Sequence, residues 1–338
     1  MKAVTIQAPN EAALCDIDEA GVSAGQVKLR VMRVGLCGSD LNTYRGYNPL
    51  VSYPRIPGHE IGGEVIAIGE GVTRCQPGDR VVVLPCTECG ECSACRSGRP
   101  NACRYNQTLG VQRQGGMSET LVVPAHKTLV CNELSFDELA LVEPLAVGMH
   151  AARRAQISVG ETVAVFGCGV IGLGAMAGAA AMGARVVAID IDSRKRDIAV
   201  ACGAARFVNS REEDLTAVAQ GIDQGRGPAV VIEAVGNDAT FVEAVRLAAF
   251  AARVVYVGYA KKPVSYDSSQ FVMKELDIRG SRNATAADFS AVLALLEQGR
   301  YPTHQLVSAH YPLTRAPEAF ADWARDPGAF TKILIDIQ

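Results

Sequence analysis

The sequence has no excess of charge of either sign: 33 Lys and Arg stand against 36 Asp and Glu, a formal net charge of −3. A nucleic-acid binder usually carries a basic patch or arm, so no nucleic-acid partner is expected. There is also no unbroken apolar run of membrane-spanning length. The least charged stretch, Val163 to Ala184, is interrupted by Gly167, Gly169, Gly172, Gly174, Gly178 and Gly183. It reads as a soluble strand, turn and helix, and no membrane partner is expected. The opening MKAVTIQAPNEAAL lacks the basic start and apolar core of a secretory signal, which points to a reducing cytoplasm. Internal repeats and low-complexity tracts are missing too. What is left is a globular composition, 49% hydrophobic and 20% charged, in a chain of 338 residues, enough for two domains.

Cysteine is not scarce. There are 11, and Cys86, Cys89, Cys92, Cys95 and Cys103 crowd into residues 86–103. In a chain without a secretory signal, such crowding favours metal binding over disulfides. Cys89, Cys92, Cys95 and Cys103 form C-x2-C-x2-C-x7-C, and four thiolates so close together can complete a tetrahedral shell with no open position. That describes a structural zinc site. An iron–sulfur run begins the same way but places its fourth cysteine after three residues and before a proline. Cys86 could replace Cys89 in a shifted register; it reads as a loop thiol.

The chain changes character along its length. Residues 1–146 read as short strands separated by Gly and Pro, among them 27–35, 62–69, 79–85 and 118–124. Residues 147–283 alternate strands with Ala-rich helices, the pattern of βαβ units on a parallel sheet. Residues 284–338 carry one amphipathic helix, AADFSAVLALLEQG, and a last strand, TKILIDI; this tail is too small to fold alone and is expected to return to the first unit.

Gly167-Cys-Gly169-Val170-Ile171-Gly172 ends a predicted strand and opens a predicted helix with G-x-G-x-x-G spacing. The glycines allow a tight turn, close approach to a pyrophosphate and close helix packing, with the phosphates on the helix N–H groups. Asp190 ends the next strand, near the separation of about 20 residues expected of an acid that binds a ribose. Its charge would repel a 2′-phosphate, favouring NAD, although Arg194, Lys195 and Arg196 follow and could hold one.

Gly35-Leu-Cys37-Gly-Ser39-Asp40 follows one strand, and Gly58-His59-Glu60 opens another. Singly, Cys37 and His59 would be ordinary buried residues. Their neighbours change that: Gly58-His59-Glu60-x-x-Gly63-x5-Gly69-x-x-Val72, with Pro77-Gly78-Asp79 after it, resembles the signature of zinc-containing medium-chain alcohol dehydrogenases. The resemblance runs the length of the chain, with the signature, the four-cysteine lobe and the nucleotide motif in order. It implies an α/β protein with a GroES-like β-rich catalytic domain and a doubly wound Rossmann sheet. It implies two zinc ions per chain, one of them catalytic, on Cys37 and His59, with Glu60 and Glu143 sharing or exchanging the remaining positions. It implies Ser39 as the start of a proton relay, and Val170, Ile171, Lys195, Val235 and Val257 beside the glycines and Asp190 at the NAD site. Many relatives carry His two residues after Asp40, where this chain has Asn42, which cannot take up a proton. His126, His150, His304 and His310 are expected to be structural.

The fragments Ser52-Tyr-Pro-Arg-Ile-Pro-Gly-His59 and Gly280-Ser-Arg-Asn-Ala-Thr285 are similar to sugar-acid dehydrogenases of the L-galactonate or L-idonate 5-dehydrogenase type. A carboxylate substrate calls for a cation, and an Arg fork suits it. Arg113 and Arg282 are the candidates, with Tyr44 as a further substrate residue; the bland alternative puts Arg113 on the surface and Arg282 on cofactor or backbone. A neutral or phosphorylated polyol, of the sorbitol or galactitol 1-phosphate kind, is the second enzyme reading. A non-catalytic metabolite sensor on the same fold is the reading from another class, weighed against by the intact Cys37, His59, Glu60 and Glu143. The resemblance also implies a homo-oligomer, a tetramer, built partly through nucleotide-domain edges such as Arg253 to Gly258.

Overall fold

The computed structural model describes residues Met1–Gln338 as two compact units. Met1–Glu143 with Thr303–Gln338 forms the first, and Pro144–Pro302 the second.

The first unit is built on a sheet that runs Ala309–Pro312, Ile333–Asp336, Gln26–Gly35, Glu60–Ile68, Arg80–Val83, Thr128–Val130, with Thr120–Pro124 also paired to Gln26–Gly35. Alternation along these strands buries Val27, Leu29 and Val31 from one strand and Ile61 and Val65 from the next, all fully covered. The antiparallel register sets Gly35 opposite both Glu60 and Leu334. Three distant segments thereby meet at one sheet end, just where Cys37 and His59 follow or precede their strands.

The second unit is a six-stranded parallel sheet in the order Ala204–Asn209, Arg185–Asp190, Thr162–Phe166, Val230–Glu233, Arg253–Tyr256, Asp277–Gly280. In chain order this is 3-2-1-4-5-6, the doubly wound dinucleotide-binding arrangement. The stretch that approached membrane length resolves into strand Thr162–Phe166 and helix Val170–Ala181, and no helix is long and apolar enough to cross a membrane.

Two expectations need correction. The return to the first unit begins at Thr303 and not at 284. The helix Ala286–Glu297 stays with the second unit, where its Asp288 accepts from His150 at 2.9 Å and lies 3.4 Å from Arg153. The strand Arg253–Tyr256 is not an edge: it is hydrogen-bonded on both sides, by Val230–Glu233 and Asp277–Gly280, and the latter is the outer strand.

Candidate active site

Cys37 lies between the strand Gln26–Gly35 and the short helix Gly38–Tyr44, whose N-cap it is. Asp40 fixes this corner. One of its carboxylate oxygens accepts the Cys37 N–H at 2.9 Å and the other the Gly58 N–H at 3.3 Å, so a single buried side chain ties together the two fragments that carry Cys37 and His59. The same carboxylate stands 3.9 Å from His59 Nδ1. The Cys37 sulfur, a His59 nitrogen and a Glu60 oxygen lie within 4.8 Å of one another. Gly35 is required for this approach, because a Cβ there would stand 2.0 Å from a Glu60 oxygen.

Burial alone would lower the affinity of His59 for a proton, but Asp40, Cys37 and Glu143 around it raise its pKa well above the ordinary value. Burial raises the Asp40 carboxyl, against the pull of His59. Glu143, in helix Phe136–Arg154, is raised to about 7 by burial, with His59 acting in the opposite sense. His59 Nδ1 and the Ser39 hydroxyl are covered and have no protein partner. A cysteine sulfur, an imidazole nitrogen and a carboxylate oxygen brought within 4.8 Å of one another form a donor set that suits Zn²⁺.

One participant was not foreseen. Lys332 is 5% exposed, and its ammonium lies 2.7 and 2.6 Å from the two oxygens of Glu60 and 2.9 Å from the Leu36 carbonyl. Burial would lower the Lys332 pKa, but Glu60 and Cys37 raise it, so the ammonium stays charged. Its only sequence signal was a cation at the start of the last strand.

The four-cysteine lobe forms a compact sulfur cluster. The separations are 4.0 Å for Cys89–Cys95, 3.6 Å for Cys92–Cys95, 3.9 Å for Cys92–Cys103 and 3.6 Å for Cys89–Cys103. A tetrahedron with Zn–S bonds of about 2.3 Å has edges of about 3.8 Å. The distances are far too long for disulfides, and all the cysteines are free. Backbone N–H groups of Glu91 and Cys92 donate to Cys89, that of Arg104 to Cys92 and that of Tyr105 to Cys103. The Arg104 N–H and the Cys95 backbone pull the Cys92 thiol down to about 6, while burial and Cys92 push the Cys95 thiol up to about 11. Cys86 stands outside the cluster, 3.6 Å from the Thr108 hydroxyl.

In the second unit Gly167 has φ +93°, and a Cβ on Gly172 would meet the Gly167 carbonyl at 1.9 Å, so the glycine turn closes tightly on its helix. Asp190 holds the turn's floor, accepting from the N–H of Cys168 at 2.7 Å, Ile191 at 2.7 Å and Asp192 at 3.0 Å. Val170 and Val257 are buried, Ile171 is half-buried, and Val235 is half-exposed against Gly167. Two of the three cations after Asp190 are engaged: Arg194 grips Asp192 with Nε and Nη2, and Arg196 lies over the Phe207 ring at 5.0 Å. Lys195 is half-buried.

Of the substrate candidates, Tyr44 is 8% exposed and stacks on Phe320 at 5.4 Å, so its ring belongs to the core. Arg113 is half-buried, and Arg282 is exposed in the second unit. His150 is paired with Asp288, and His310 lies 2.9 Å from Asp336 and 3.5 Å from Asp137, as structural residues would.

Residues 23–133 match the family model for the alcohol dehydrogenase GroES-like domain, and residues 170–298 the one for zinc-binding dehydrogenases. L-galactonate-5-dehydrogenase of Escherichia coli K12 is 36% identical over 86% of each chain. The crystal structure of an E. coli CFT073 short chain alcohol dehydrogenase (rspB), complexed with the cofactor NADH, superposes with a TM-score of 0.91 at 31% identity, covering 100% of this chain and 99% of that one. Galactitol-1-phosphate dehydrogenase from E. coli gives a TM-score of 0.93 at 28% identity over 100% of both chains.

Proposed function

Because the chain belongs to the zinc-type medium-chain alcohol dehydrogenases, on the branch with polyol and sugar-acid dehydrogenases, we propose that it oxidises a secondary hydroxyl of a sugar acid of the L-galactonate or L-idonate kind to the keto acid, with NAD as acceptor. The observation that carries the chemistry is that the Cys37 sulfur, a His59 ring nitrogen and a Glu60 carboxylate oxygen, from segments far apart in sequence, lie within 4.8 Å of one another.

Cys37 and His59 would hold a catalytic zinc, with Glu60 and Glu143 sharing the remaining positions; Cys89, Cys92, Cys95 and Cys103 would hold a structural one. When bound, zinc supplies Lewis acidity that acidifies a hydroxyl brought to it, and the nicotinamide takes up the hydride. Asp40 places a carboxylate 3.9 Å from His59 Nδ1, beside the imidazole, and Lys332 limits how far Glu60 can move, since both its oxygens are engaged. Ser39, whose hydroxyl is otherwise unpaired, would accept the substrate proton. Asn42 cannot carry it further, so the proton passes to water or to a ribose hydroxyl.

Gly167, Gly169, Val170, Ile171, Gly172, Asp190, Lys195, Val235 and Val257 would bind the cofactor. NAD is favoured over NADP because Asp190 ends its strand as an acid, whose charge would repel a 2′-phosphate. Assembly into a homo-oligomer is expected through the outer strand Asp277–Gly280, whose Ile278 is 43% exposed.

The second reading, a neutral or phosphorylated polyol, is favoured by the likeness to galactitol-1-phosphate dehydrogenase. NAD reduction by the pure zinc-loaded protein, screened over L-galactonate, L-idonate, sorbitol and galactitol 1-phosphate, tests the function. Turnover of a sugar acid at the highest kcat/KM supports it; a preference for sorbitol or the phosphate replaces it with the second reading.

A further inference from the structure

Two arginines of the first unit have a covered Nε with no partner, Arg55 and Arg113, and neither is within ion-pair distance of a carboxylate. A covered guanidinium without an acid is costly, because desolvation is not offset by a charge-assisted bond. Such a group is either braced by neutral acceptors or awaits an anion. Arg55 donates to the Ser52 hydroxyl at 3.1 Å, and burial is the one influence on its charge. Arg113 has one long contact, Nη2 to the Pro85 carbonyl at 3.3 Å, and that oxygen already accepts the Leu109 N–H at 3.1 Å. Burial lowers the Arg113 pKa, and the nearby Cys86 opposes it. Cys86 in turn feels Glu143 and His59. Arg113 also belongs to the loop that packs against Gly58, the residue before His59: a Cβ on Gly110 would stand 2.7 Å from the Gly58 nitrogen.

The loop that carries Arg113 is held on both flanks. On one side Leu109 bonds to Pro85. On the other, Gly115 donates to the Ile56 carbonyl at 2.7 Å, Gly116 to Gly58 at 2.9 Å and Met117 to Pro57 at 3.1 Å, while Gln114 accepts the Ile56 N–H at 2.7 Å. A Cβ on Gly115 would be 2.3 Å from the Pro57 carbonyl, so the loop lies directly on the segment that ends in His59. The backbone that carries Arg113 is thus fixed before any ligand arrives, which lowers the ordering cost of binding.

We propose that Arg113 receives the substrate carboxylate at its guanidinium and so selects sugar acids over neutral polyols. This rests on the sugar-acid reading above. A carboxylate and a guanidinium fork match bidentately, and a site left with an unpaired buried donor rejects the ligand that lacks the acceptor.

The experiment uses the zinc-loaded enzyme with NAD and three substrates: L-galactonate, galactitol, which lacks the carboxylate, and galactitol 1-phosphate. The enzymes are wild type, Arg113→Gln, Arg113→Lys and, as control, Arg55→Gln. Arg113→Gln is expected to lose about 100-fold in kcat/KM on L-galactonate, mainly through KM, with galactitol changed less than about threefold. Arg113→Lys should recover part of the loss. Arg55→Gln should leave the preference for the acid unchanged. Thermal unfolding in the presence of NADH gives a readout independent of turnover: L-galactonate should raise the Tm of wild type and not of Arg113→Gln, whose ligand-free Tm should not fall. Equal losses on acid and polyol, or a lower ligand-free Tm, would show a structural role and overturn the assignment. Wild type that turns over L-galactonate with Arg113→Gln unchanged overturns the assignment alone. Wild type that prefers galactitol or its phosphate overturns both the assignment and the sugar-acid reading.

Discussion

The Lys332 ammonium bridges both carboxylate oxygens of Glu60, at 2.7 and 2.6 Å, across 272 residues of sequence. Both side chains are almost wholly covered, so the pair is a charge couple inside the first unit. It also joins the last strand to the edge of the Cys37–His59 site through the Leu36 carbonyl.

Removing one member of a buried pair strands the other. Lys332→Met should destabilise the protein by about 3–5 kcal/mol, whereas the double variant Lys332→Met with Glu60→Met should recover most of that stability. Urea unfolding of the three proteins measures it. Equal stability of wild type and Lys332→Met would mean that the couple contributes nothing.

The four-sulfur lobe should behave as a separate metal site. Cys95→Ala or Cys103→Ala should lower zinc from about two to about one per chain and lower the Tm, because a structural zinc contributes folding energy directly. Elemental analysis beside calorimetry checks both. Full zinc content in these variants would contradict the tetrahedral shell.

The lobe and the glycine turn were legible in the sequence because their residues are neighbours along the chain, and spacing alone sets their geometry. Cys37 and His59 were legible as motifs, although their meeting depends on the register that sets Gly35 opposite Glu60. Lys332 was not, because a pair closed between a first-half glutamate and a last-strand lysine leaves no local pattern. Tyr44 illustrates the same limit: its stacking on Phe320, far along the chain, leaves no local pattern in the sequence. The helix Ala286–Glu297 looked like part of the tail because amphipathicity shows that a face is buried without showing against what; the His150–Asp288 contact settles that.

Asp190 holds the glycine turn by three backbone N–H bonds, and on the proposed reading it would also face the cofactor ribose. Asp190→Ala should weaken NADH binding at least about tenfold and narrow the preference over NADPH. Fluorescence titration with both cofactors measures this. Unchanged discrimination would remove Asp190 from the cofactor site.

Glu143 gives a pH signature in the metal-free protein. Burial raises its carboxyl to about 7 from an ordinary 4.5, so the folded state holds a proton that the unfolded chain releases earlier. Its stabilising contribution is complete below the unfolded value and lost as pH rises through the folded one. Between about pH 4.5 and 7, chelator-treated wild type should lose stability relative to Glu143→Gln, which carries no charge there. Urea midpoints at pH 5 and pH 8 compare them; parallel behaviour of the two proteins would contradict the raised carboxyl.

The most direct measurement is NAD reduction by Cys37→Ala and His59→Ala proteins shown to be folded, to bind NADH and to retain the zinc of the cysteine lobe. Turnover should fall by at least about 1,000-fold, since on the proposed reading these two side chains would hold the zinc that acidifies the substrate hydroxyl. Turnover at the wild-type rate in either variant would contradict a catalytic zinc on Cys37 and His59.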